Sequence, residues 1–151
     1  MQLRGLATAV VVLGMALAAP AAAQNTDEHL AMMSRLRDEA AQRAASDGTE
    51  VYQSEIGRLF QGENRYTPLV EGWGGGEIVA IGICDNNCTD LDLYVVDENN
   101  TVVAQDEAVD THPVVRFQAQ QEHRYSLRIV MYGCTAPQNT RCTYAASAFW
   151  H

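Results

Sequence analysis

From Ile78 to Trp150 the apolar residues fall in short runs, several of them alternating with a period of two, and turn-forming residues separate the runs. That rhythm belongs to strands with one face turned to a core. Ile78 to Ile83 is nearly continuous, Leu91, Leu93 and Val95 alternate with Asp90, Asp92 and Tyr94, and Thr101 to Ala104 follows after a turn. Further runs are Val114 to Phe117, Tyr125 to Met131 and Tyr144 to Trp150, and none of them alternates with a helix. Short strands without intervening helices predict an antiparallel β-sandwich or jelly roll. Asparagine tolerates the left-handed backbone of a tight turn, so Glu98-Asn99-Asn100 is read as a hairpin. In the last long run Tyr125, Leu127, Ile129 and Met131 share the face expected to meet the core, with Ser126 and Arg128 on the other.

Before Gly62 the pattern differs. Leu30, Met33, Leu36, Ala40 and Ala44 recur at helical spacing, which predicts an amphipathic helix that starts at Asn25 or Thr26 and stops at Ser46-Asp47-Gly48. Val51 to Phe60 fits a helix or a strand. The chain thus divides into residues 1–23, an N-terminal helical or extended segment 24–62, and a β-sandwich domain 63–151. The alanine-rich stripe is weak, so a chain starting near Glu63 is expected to fold alone.

Residues 1–23 carry Arg4, an apolar run from Leu6 to Ala18, then Pro20 and Ala21-Ala22-Ala23. This order is that of a secretory signal peptide with cleavage near Ala23, and the run is short of the roughly 20 apolar residues of a membrane span. A periplasmic or extracellular location follows, where cysteines oxidise. The four cysteines form two local pairs, Cys84 with Cys88 and Cys134 with Cys142, each bracketing turn formers. Two disulfides are expected, since that spacing fits no common zinc module. All 10 basic residues are arginines, set against 19 acidic ones. An acidic balance of this size disfavours nucleic acid and anionic membrane surfaces as partners.

Between Cys84 and Asp110 lie eight carboxylates and no basic residue. Loops on one rim of a sandwich could gather Asp85, Asp90, Asp106 and Asp110 around calcium. An EF-hand is excluded, because a loop opened by Asp85 has Asp90 where glycine belongs and Val96 where glutamate belongs. The simpler reading is a stapled turn leading into a strand whose Asp90 and Asp92 line a solvent-facing side. No G-x-S-x-G, H-E-x-x-H or phosphate-cradling loop occurs, and His29, His112, His123 and His151 are read as surface residues, with no cofactor required. Trp73, Trp150 and Tyr94 could form an aromatic platform for sugar or peptide, although such residues more often fill a core.

The segments AIGICDNNCTDLDLYVVDENNTVVAQD, HPVVRFQA, RYSLRIVMYGC and CTYAASAFW, in that order, resemble the bacterial pre-peptidase C-terminal domain over about residues 66–151. The resemblance implies a small β-sandwich with an accessory or binding role beside secreted enzymes, and related collagen-binding modules bind calcium. Ile78 and His123 stand where that family would have an aromatic residue and a glycine. Together these observations predict an exported, non-catalytic binding or accessory module for a protein or polysaccharide, with calcium-dependent binding as the alternative and a secreted hydrolase the weakest reading.

Overall fold

The computed structural model describes residues 21–46, 50–69, 75–137 and 139–150. One helix and eight strands follow one another: α1 (Ala21–Ser46), β1 (Glu50–Leu59), β2 (Asn64–Leu69), β3 (Gly76–Cys84), β4 (Cys88–Asp97), β5 (Val102–Asp106), β6 (Val114–Ala119), β7 (Tyr125–Cys134) and β8 (Cys142–Trp150). All strand pairs are antiparallel, and they form two four-stranded sheets in the orders β1-β8-β3-β6 and β2-β7-β4-β5.

The order has a simple origin. β4 pairs with β5, β3 with β6, β2 with β7 and β1 with β8, each pair enclosing the one before it. The chain is therefore one long ribbon bent at the expected hairpin, where Asn100 takes a φ of 62° and Asp97 Oδ1 accepts the backbone N–H groups of Asn99 and Thr101. Rolling the ribbon brings β3 beside β8 and β4 beside β7, which yields a jelly roll.

The core lies between the sheets. Leu91, Leu93 and Val95 of β4 meet Leu127, Ile129 and Met131 of β7, with Ile78, Ala80, Val115, Phe117, Tyr144, Ala146 and Ala148 from the opposite sheet. The face assigned to β7 from its alternation is the one that is buried. Both disulfides form as expected, Cys84–Cys88 and Cys134–Cys142. Each spans a crossing from one sheet to the other, and Cys88 and Cys134 are register partners, so both staples sit at the same end.

Three features differ from the sequence expectation or resolve it. The helix already includes Ala21, several residues before Asn25, and Ala21-Ala22-Ala23 are strong helix formers. Its first turn contains the point at which cleavage near Ala23 was expected. The ambiguous segment Val51 to Phe60 is largely strand: β1 pairs with β8 from Glu50↔Trp150 to Leu59↔Cys142. β2 carries no period-two signal of its own, and its Pro68 is tolerated because β2 is an edge strand.

α1 packs against β8 and β1. Met33 is fully buried and Leu30 and Leu36 are half-buried, while β8 is buried along almost its whole length. Tyr144, Ala146 and Ala148 belong to the inner core. By alternation Ala145, Ser147 and Phe149 face outward, where the helix covers them.

Candidate functional site

The four aspartates proposed as metal ligands have different surroundings. Asp85 is buried in the Cys84–Cys88 turn, where its Oδ1 accepts Asn87 N–H (3.0 Å) and its Oδ2 accepts Thr143 N–H (2.7 Å). It ties the turn to β8. Asp106 accepts Ala108 N–H and Val114 N–H at 3.1 and 2.8 Å, so both its oxygens organise the β5–β6 connection. Asp110 Oδ1 accepts His112 N–H at 2.7 Å, and its carbonyl accepts Leu91 N–H at 2.9 Å. Asp90 lies close enough to Asp110 to feel its charge. Among the described residues, no group of three or more His, Cys, Asp or Glu is arranged to hold a metal ion.

Asp90 and Asp92 do not line a solvent-facing side. They are 8% and 5% exposed, although they alternate with the core residues Leu91 and Leu93. The cause is the β5–β6 connection, which folds back on the start of β4 through the Leu91–Asp110 hydrogen bond. A groove of about 320 Å³ results, lined by Asp90, Asp92, Tyr94, Glu107, Val109 and Tyr132.

Strand irregularity aims one wall of this groove. Register shifts lie between Cys88 and Asp90 and between Asp90 and Leu91, so that Asp90 pairs with Gly133 and Leu91 with Met131. Thr89 and Tyr132 are the residues left over, and Tyr132 projects with 65% of its surface exposed. Bulges commonly re-aim side chains in this way. Gly133 is required there, because an added Cβ would stand 3.0 Å from the Cβ of Asp90 and closer still to the Thr89 hydroxyl.

The groove is short of hydrogen-bond donors. The Tyr94 hydroxyl lies 2.6 Å from Glu107 Oε1 and 3.3 Å from Asp92 Oδ2, and its single proton serves one of them at a time. Gln105 Nε2 donates to Glu107 Oε2 at 3.0 Å. Asp90 Oδ1 is buried with no hydrogen-bond partner at all. The nearby Arg128 stacks its guanidinium on the Tyr94 ring, 4.1 Å from the centroid, and its Nε is also without a partner.

Electrostatics follow from this packing. Burial first, then the charge of Asp110, raises the Asp90 carboxyl above its ordinary 3.8. For Asp92 burial again leads, followed by Asp90; Tyr94 opposes the rise through its hydrogen bond, and Glu107 and Asp106 add to it. Burial and the bond to Glu107 likewise push the Tyr94 phenol upward. Asp90 and Asp92 thus share a poorly solvated groove with the more exposed Glu107, a condition that enriches for functional sites.

The remaining candidates sit elsewhere. Trp73 and His151 lie outside the described residues. Trp150 packs against the core from β8 whereas Tyr94 belongs to the opposite sheet, so these two platform residues are not brought together. His112 Nδ1 lies 2.8 Å from the Thr111 hydroxyl, and His123 Nδ1 lies 3.0 Å from Glu98 Oε1, both exposed. No family model matches the chain, and no curated protein matches it.

Proposed function

We propose that this chain is an exported, non-catalytic binding module whose ligand contact is the acidic groove on the β2-β7-β4-β5 sheet, and whose ligand is cationic. The observation that carries the reading is Asp90, a carboxylate about nine-tenths buried with one oxygen unpartnered. Such a group costs folding free energy, and it is retained most readily where a ligand offsets it. Export is supported by the N-terminal signal pattern and by two disulfides that leave no free cysteine among the described residues. No described helix is long and apolar enough to cross a membrane. The jelly roll agrees in class with the β-sandwich that the resemblance to the pre-peptidase C-terminal domain implies, and an accessory role follows from the same resemblance.

The test is retention of a soluble polycation by the disulfide-bonded chain, compared with Asp90→Asn, Asp92→Asn and the distant control Glu77→Gln. With a net charge of -9 the chain attracts any polycation weakly, so the site-specific loss is the informative quantity. Both groove variants are expected to lose most of the retention and the control little. Equal losses in all three would reduce binding to bulk charge and sink the proposal. Calcium, the other cation considered, is tested separately: a melting temperature raised several degrees by millimolar calcium and restored by chelator would make the module calcium-dependent.

A further inference from the structure

We infer that the groove takes the guanidinium of an arginine side chain presented by a partner polypeptide. This rests on the cation-binding reading above and narrows it.

Three features of the groove select the ligand. The first is a deficit of donors as well as of charge: one phenolic proton lies between Asp92 and Glu107, and Asp90 Oδ1 has none. A guanidinium brings five N–H donors in a planar fork, while a metal ion needs a converging ligand set that the described residues do not form. The second is the wall. Tyr132, displaced outward at the bulge, offers an exposed ring on which a planar cation can stack, and Val109, 84% exposed, offers apolar surface to the methylene stem. A hydrated ammonium uses neither feature as well. The third is that the same sheet already holds a guanidinium in this manner, for Arg128 lies on the Tyr94 ring.

A polypeptide source is favoured over the free amino acid by the rim of the groove. Free arginine brings an α-carboxylate that the groove carboxylates repel and an α-ammonium that they attract, so its backbone adds little. An arginine inside a chain carries neighbouring residues that Tyr132 and Val109, 65% and 84% exposed, can contact.

The experiment follows backbone amide resonances of the disulfide-bonded protein during titration with acetyl-Gly-Arg-Gly-amide. Parallel arms use the lysine and citrulline counterparts, free L-arginine, and calcium chloride. The arginine peptide is expected to shift Asp90, Asp92, Tyr94, Tyr132 and Gly133 saturably. Citrulline should leave them in place, and lysine and free arginine should bind at least several-fold more weakly. Asp90→Asn and Tyr132→Ala should each weaken the peptide by roughly tenfold, the loss of one charge-assisted or stacking contact. Tyr132 is exposed, so that variant keeps the fold, which the rest of its spectrum verifies. Lysine peptide or calcium saturating the same resonances more tightly would overturn the guanidinium assignment and leave the cation-binding reading standing. Tighter free arginine would overturn the polypeptide source. No movement of the groove by any probe would remove both.

Discussion

The two sheets each cover part of their outer face by different means. On the β1-β8-β3-β6 sheet, α1 packs on β1 and β8 with Met33 fully buried and Leu36 beside the small residues Ala145 and Ser147. Apolar surface meets apolar surface. On the β2-β7-β4-β5 sheet a loop and a bulge enclose Asp90 and Asp92, and Asp90 keeps an oxygen without a donor. The helix covers the first face along β8 with apolar groups; the second is closed over carboxylates, one of which keeps an unpartnered oxygen. Burial alone therefore does not distinguish the two surfaces. Satisfaction of the buried groups does.

The contrast is broken most severely by deleting its structural half. A chain starting at Glu63 lacks α1 and β1, which strips β8 of an edge partner and removes Met33 and Leu59 from their buried sites. The expectation drawn from the weak helical stripe reverses here. Such a chain should show no cooperative thermal transition by circular dichroism, and a sharp one would mean that the helical face is an accessory. Next in size is Met33→Ala, which should cost about 3 kcal/mol in chemical denaturation; a loss under 1 kcal/mol would point to a loosely docked helix.

Removing the Cys84–Cys88 bond tests a feature that both faces share. A loop this short should yield about 2 kcal/mol from unfolded-state entropy, with denaturation of the double alanine variant as the measurement. Asp90→Asn should act with the opposite sign, stabilising by on the order of 1 kcal/mol near neutral pH. Folding raises the Asp90 and Asp92 carboxyls, so their protonation favours the folded state. Their contribution is most favourable below the ordinary value of 3.8 and is lost as pH rises through the folded-state values. The advantage of Asp90→Asn over the unsubstituted protein should consequently shrink on acidification. An advantage independent of pH would show that packing rather than charge is responsible.

Much of the sandwich was legible because Leu91, Leu93, Val95 and Leu127, Ile129, Met131 state their period plainly. β1 was not, and its packing explains why. Its core-facing positions include Glu55 and Gly57: the Glu55 carboxylate accepts hydrogen bonds from the Thr67 and Tyr144 hydroxyls, and Gly57 makes room for the Tyr144 ring. A polar residue and a glycine at inward positions erase the alternation that marks a strand. The groove was hidden for a related reason. Alternation places Asp90 and Asp92 opposite Leu91 and Leu93 but says nothing about whether a loop will cover them. The sequence marks Asp90 as a candidate metal ligand and Tyr94 as part of a platform, and gives Asp92, Glu107 and Tyr132 no role in a site. Gly133 beside Tyr132 was the available hint of a bulge, visible only once the register is known.

The nested ribbon also sets an order in time. Its innermost pair, β4 with β5, closes a turn of a few residues, whereas its outermost pair joins Glu50 to Trp150 across the length of the domain. Loop-closure entropy grows with separation, and non-local pairing slows folding, so the hairpin should zip first and β1 should wait for β8. α1 waits longer, since both strands on which it docks must already be paired. A chain emerging N-terminus first thus releases its helix and first strand early and can seat them only after its final strand has emerged, so its outermost pair is the last to close.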